Sequence, residues 1–189
     1  DDSDSDYTYV EEGSDFGDAP SSYGVAEHEL NFIQTGGNYT EYIYFGQSVD
    51  AETVSNSSSD GDGDDLDGAD DEDVVTFPLM IRGTEVTIPI ELTSEDGSLG
   101  ILRGWIDWNA NGDFTDAGEQ VIVFVPVPTS TTHMLTLTVP NDAVLGSTFA
   151  RFRVGSFSVS NSFAPDNFGE VEDYMINIIN PNFTGVQEH

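Results

Sequence analysis

With 189 residues the chain is sized for one domain that buries roughly 70% of the surface its unfolded form exposes. Its 36 Asp and Glu face four Arg (Arg82, Arg103, Arg151 and Arg153) and no Lys, a formal net charge of −32. That balance excludes nucleic-acid binding through clustered cations and docking on an anionic membrane surface, and the absence of cysteine excludes disulfides, thiolate metal sites and thiol nucleophiles.

Residues 1–14 read as an acidic arm; eight carboxylates fall in the first 18 residues, around a Tyr7–Val10 run able to pair as a strand. The domain proper is expected over residues 15–180, with a short tail at 181–189. Tyr42–Phe45 is apolar, and from Asp60 to Asp73 nine acids occur in 14 residues, interleaved with Gly61, Gly63 and Gly68. Beyond this block the texture changes to strands. Val86, Ile88, Ile90 and Leu92 alternate with Glu85, Thr87, Pro89 and Glu91, a period-two pattern with one buried face. Leu99–Trp108 and Gln120–Val127 are apolar enough to be strands with less solvent on either face. Leu135, Leu137 and Val139 alternate with Thr136 and Thr138; Ala150, Phe152 and Val154 alternate with Arg151 and Arg153; Tyr174, Ile176 and Ile178 close the series.

No helical periodicity runs beyond two turns, no long self-repeat occurs, and 21 aromatic residues argue for a packed core rather than a disordered polyanion. About seven to nine short strands punctuated by Gly, Asn, Asp and Pro predict an all-β fold. The expected architecture is an antiparallel β-sandwich, jelly-roll or Ig-like with Greek-key connections, carrying acidic calcium-binding loops.

The sharpest constellation is DWNANGDFTDAGE. Asp107, Asn109 and Asn111 alternate, Gly112 permits a tight turn, and Asp113, Asp116 and Glu119 follow. Calcium takes about six to eight oxygen ligands, and this spacing wraps them around one centre. Glu119 stands at position 13 of the loop rather than the EF-hand's 12, and strands rather than helices flank it, so the same ligand logic is expected on a β-hairpin. The competing reading is an Asx-rich turn with solvated carboxylates. In the second block Asp60, Asp62, Asp64, Asp65, Asp67, Asp70, Asp71 and Asp73 resemble tandem calcium loops. Carboxylates a few Å apart repel by about 4 kcal/mol per pair at an effective dielectric near 20, so a compact block needs cations. Two or more Ca2+ are therefore expected.

A third constellation, NFGEVEDY, places Glu170, Glu172 and Asp173 where a loop enters the last strand. One reading pairs Glu170 and Glu172 with Arg151 and Arg153 in an ordinary cross-strand charge ladder. The other joins some of these acids to Asp15 and Asp18 in a further cation site.

The motifs DFGDAPSSYG (Asp15–Gly24), FGQSVDAE (Phe45–Glu52), GDDLDGADDEDVV (Gly63–Val75), GWIDWNANGDF (Gly104–Phe114), ARFRV (Ala150–Val154) and GEVEDY (Gly169–Tyr174) together resemble the GEVED domain family, in its order and over nearly the whole chain. Val74–Val75 departs from the G-V that follows DDED in that family. The resemblance implies an extracellular β-sandwich module of bacterial and related secreted or cell-surface proteins, often set beside adhesive repeats or secreted proteases and without assigned catalysis.

No catalytic constellation emerges. His28, His133 and His189 form no H-E-x-x-H motif, and no nucleophile elbow, P-loop or dinucleotide fingerprint occurs. Trp105, Trp108 and Phe114 read as core packing, with a sugar platform as the alternative. Abundant Ser, Thr, Asn and Gly without Lys favour export to the cell surface, and no segment is apolar enough to insert in a membrane. Asn38, Asn56 and Asn182 are glycan acceptors in a suitable host. The expected function is a calcium-stabilised, non-catalytic structural or adhesion module whose partners are copies of itself in a surface fibre or array. The alternatives are a calcium-dependent module binding glycans or surfaces, and an ancillary domain of a secreted hydrolase.

Overall fold

A computed structural model describes residues 13–30, 32–35, 38–41, 43–47, 55, 57–59, 75–94, 99–155, 161–166 and 168–181. Within them the strands are β1 (Ser14–Phe16), β2 (Glu27–Glu29), β3 (Phe32–Thr35), β4 (Asn38–Glu41), β5 (Ile43–Phe45), β6 (Met80–Ile81), β7 (Glu85–Ser94), β8 (Gly100–Ile106), β9 (Gln120–Val127), β10 (Thr131–Thr138), β11 (Gly146–Gly155) and β12 (Gly169–Ile179). The only helical element among these residues is a single 3-10 turn, Ser21–Tyr23. The Tyr7–Val10 run, the block from Asp60 to Asp73, Asn56 and Asn182 lie outside the described residues.

β7 keeps the predicted alternation, with Val86, Ile88, Ile90 and Leu92 buried. It sits between β10 and β5 in a three-stranded antiparallel sheet. A five-stranded sheet of order β6-β12-β11-β8-β9 faces it. The apolar sides of both meet in one core containing Ile88, Ile90, Leu102, Ile106, Phe152, Val154, Ile176 and Ile178. Each such side chain contributes roughly 1.5–3 kcal/mol by leaving water. The chain crosses this core from β9 to β10 and again from β10 to β11, which enters between β8 and β12, the path of a sandwich. One pairing departs from the antiparallel expectation: β6 runs parallel to the end of β12.

Two burial expectations are corrected. The Arg151/Arg153 side of β11 was expected to alternate toward solvent, yet both arginines are fully buried. Residues 13–30 lie over the outer face of the five-stranded sheet, and Ala19, Tyr23, Trp105, Phe114 and Phe149 form a second apolar cluster there. β9 errs the other way. Less solvent was expected on either face, but it is the end strand of its sheet, and Val123 and Phe124 are exposed.

Candidate metal centre

The predicted ligand loop joins β8 to β9, as the hairpin reading requires. Asp107 opens it at full burial, with its amide on the Phe149 carbonyl (3.0 Å) and its own carbonyl accepting the Thr148 hydroxyl (2.7 Å). Its carboxylate then organises the turn. Oδ2 accepts the Gly112 amide at 3.0 Å and the Tyr23 hydroxyl at 2.8 Å, and Oδ1 lies 3.4 Å from the Asn111 amide. Asn109 Oδ1 accepts the Asn111 amide (3.0 Å), and Asn111 Oδ1 accepts the Asp113 amide (3.1 Å), a succession of Asx turns. Gly112 sits at φ 89°, the left-handed conformation that its place in the motif demands.

The loop brings the carboxylates of Asp113, Asp116 and Glu119 together, with one oxygen of each within 4.8 Å of the others. The Asn109 and Asn111 side-chain amides both donate to Asp116 Oδ2 at 2.7 Å. Thr115 donates its amide (2.7 Å) and hydroxyl (2.6 Å) to Asp113 Oδ1, and these bonds lower the Asp113 pKa. Glu119 is the strained member. It is 1% exposed; Oε2 accepts the Asp116 amide at 3.0 Å, but Oε1 is buried with no hydrogen-bond partner among the described residues. Burial, then the charges of Asp107, Asp116 and Asp113, push its pKa up to about 7 against the one favourable amide bond. All the converging donors are hard oxygens, without a nitrogen or sulfur ligand, a set suited to calcium or magnesium rather than to zinc or copper.

The third constellation is wired differently. Register pairs Arg151 with Asp173 and Val154 with Glu170 across β11 and β12, so Asp173 faces residues 13–30 while Glu170 and Glu172 face the core. The expected ladder of Glu170 and Glu172 with Arg151 and Arg153 is therefore not what forms. Arg151 and Asp173 make a bidentate pair (2.7 and 2.6 Å) with both side chains at 0% exposure. Asp173 Oδ2 also accepts the Ala19 amide, Glu172 Oε2 accepts the Tyr174 hydroxyl, and Glu170 Oε2 accepts the Phe45 amide of β5. From the N-terminal segment Asp15 Oδ2 accepts the Val171 amide, while Asp18 is buried and its carbonyl accepts the Ser58 amide. Strand alternation thus places Glu170 and Glu172 on one face of β12 and Asp173 on the other, toward the segment that carries Asp15 and Asp18. Gly169, at φ 122°, starts the motif where a Cβ would lie 1.9 Å from the Val154 carbonyl oxygen.

Two participants were given no role from sequence. Tyr23 ties the hairpin to the N-terminal segment, and its hydroxyl pKa is raised by burial and by Asp107. His28 is fully buried, with Nε2 accepting Arg153 Nε–H at 3.0 Å and Nδ1 donating to the Phe168 carbonyl at 3.1 Å. Burial and the Arg153 charge hold it neutral, with a pKa well below the usual value, and burial lowers Arg153 to about 10. A pair of arginines amid 36 acids was the available signal. Trp105, Trp108 and Phe114 are buried, as the packing reading expects, so they present no open sugar platform. Asn38 begins β4, and His133 is half-buried in β10.

Together these features define an all-β sandwich module with an acidic loop on one hairpin and a buried polar staple on the outer sheet. The model of the GEVED domain family matches residues 101–177, from β8 to β12, the stretch that holds the acidic hairpin loop and the Arg151–Asp173 pair. No curated protein matches the chain.

Proposed function

We propose that this protein is a calcium-stabilised, non-catalytic structural or adhesion module of the cell surface, a repeating subunit of a fibre or array. The observation that carries the calcium reading is Glu119: a buried carboxylate with an unpartnered oxygen, facing Asp113 and Asp116, in a loop whose ligand spacing matches calcium chemistry. A divalent cation there converts mutual repulsion into shared coordination, with Asp107, Asn109 and Asn111 supplying or ordering the remaining oxygens. The block from Asp60 to Asp73 supplies the chemistry for further ions. Self-association is supported by the charge distribution described below.

Titration calorimetry of calcium into chelator-stripped protein tests the reading. Saturable binding is expected, with one class of site lost in Asp116→Asn and in Glu119→Gln. Wild-type protein giving no saturable heat, by calorimetry or by equilibrium dialysis with radioactive calcium, would reject it.

A further inference from the structure

Each open sheet edge offers unpaired N–H and C=O groups to a passing strand, and folded proteins blunt such edges with bulges, prolines, charges or brevity. The described residues show this at three edges of the sandwich. β9 carries two register shifts against β8 and contains Pro126. Arg103 donates to the Val123 carbonyl at that irregularity and lies over the Phe124 ring at 5.7 Å. β6 is two residues long, and the neighbouring edge of β12 has its Val171 amide occupied by Asp15. β5 is three residues long, and its Phe45 amide is occupied by Glu170.

β10 lacks all of these devices. It pairs with β7 over all eight residues, Thr131↔Leu92 to Thr138↔Glu85, without a shift, and it stands at the end of its sheet. It contains no proline, and its outward side chains Thr132, Met134, Thr136 and Thr138 are exposed, Met134 at 55%. From Gln120 to Asn141 there is no Asp, Glu, Lys or Arg, although the whole chain carries a net charge of −32. Two copies repel one another over most of their surface, and this edge is where they meet without opposing charges.

From this contrast we infer that β10 is a homotypic docking edge: a second copy of the chain adds its own β10 antiparallel to the first. Any register within Thr131–Thr138 sets Thr, Met, His or Leu opposite one another and never two carboxylates. The nearest acids on the exposed face, Glu85 and Glu91 of β7, stand three strand spacings, about 14 Å, from their counterparts in the second copy. That exceeds the Debye length of about 8 Å at physiological ionic strength, so their repulsion is largely screened. The union makes one continuous six-stranded sheet, twice the three of a single copy, bounded at both ends by β5 and its Glu170-held amide. The contact is two-fold and closes as a dimer; a fibre then needs a second, different contact. The inference rests on the self-association part of the proposed function and not on calcium.

Sedimentation velocity on the full chain in calcium, over a wide concentration series, tests it. Wild type and the control Val123→Asp on β9 are expected to dimerise alike. Met134→Asp, which places like charges across the new pair, raises the dimer dissociation constant about tenfold or more while melting like wild type. Because the chain has no cysteine, single-cysteine variants at Thr132, Met134, Thr136 and Thr138 give a second readout: at least one crosslinks into dimers on mild oxidation, and Val123→Cys does not. Dimers that survive Met134→Asp, or that are broken by Val123→Asp, overturn the β10 contact alone. A wild type that stays monomeric throughout overturns the self-association reading as well, while calcium binding is judged by its own titration.

Discussion

The β8–β9 hairpin and the start of β12 are both rich in carboxylates, yet they solve the problem of packing negative charge in opposite ways. At β12 the charges meet protein donors: Arg151 for Asp173, backbone amides for Asp15 and Glu170, the Tyr174 hydroxyl for Glu172. At the hairpin Asp113 and Asp116 also take donors, from Thr115 and from the Asn109 and Asn111 amides, but their carboxylates crowd against Glu119, and one buried oxygen of Glu119 has no hydrogen-bond partner among the described residues. An acid that finds its donor within the fold is architecture; one that lacks it points to a ligand from outside. The two regions are joined by one segment, since Tyr23 donates to Asp107 while Ala19 donates to Asp173.

Breaking each region should separate the two kinds of acid. The largest effect is expected at the staple: Asp173→Ala leaves Arg151 buried without its counter-charge and should lower stability by about 3–5 kcal/mol in urea unfolding, in calcium and chelator alike. Calcium removal should cost about 2.7 kcal/mol per site when the free ion stands at 100 times its Kd, read as a drop in Tm on adding chelator. Asp173→Ala should keep that calcium increment, because the hairpin carboxylates are untouched. Gly169→Ala drives a methyl group toward the Val154 carbonyl and should cost about 1–3 kcal/mol or more, again independent of calcium.

The smallest effect is a slope with pH. His28 has its pKa lowered in the fold, so as pH falls below about 6.5 the unfolded chain takes up a proton that the folded chain refuses. Stability contributed above that pH is then lost, by up to about 1.4 kcal/mol per pH unit, until the folded pKa is reached. The unfolding free energy of wild type, followed from pH 7 downward, should fall more steeply than that of His28→Gln by that slope. Equal slopes would remove His28 from the staple.

What could be read from the sequence was local. The alternation of β7, the bounds of β9 and the hairpin loop from Asp107 to Glu119 follow from neighbours within a few residues. The Gly112 turn appears as expected because its conformation is written into the Asx spacing around it. The staple was illegible for the converse reason: Asp15 reaches the Val171 amide across 156 residues, and the Ala19 amide reaches Asp173 across 154. Without that covering segment, the arginines of β11 read as a solvent face, since alternation reports which residues share a side and not what lies over it. β9 misled because an apolar run can mark either an inner strand or an uncharged edge, and only the strand order distinguishes them.

Calorimetric melting of wild type and Glu119→Gln, each in calcium and in chelator, tests the central claim most directly. If Glu119 is a carboxylate awaiting a cation, the wild type melts lower in chelator. The amide variant, freed of a buried charge, melts at or above wild type in chelator and gains less from calcium. A wild type indifferent to chelator, with the variant weaker than it in both conditions, would contradict the account.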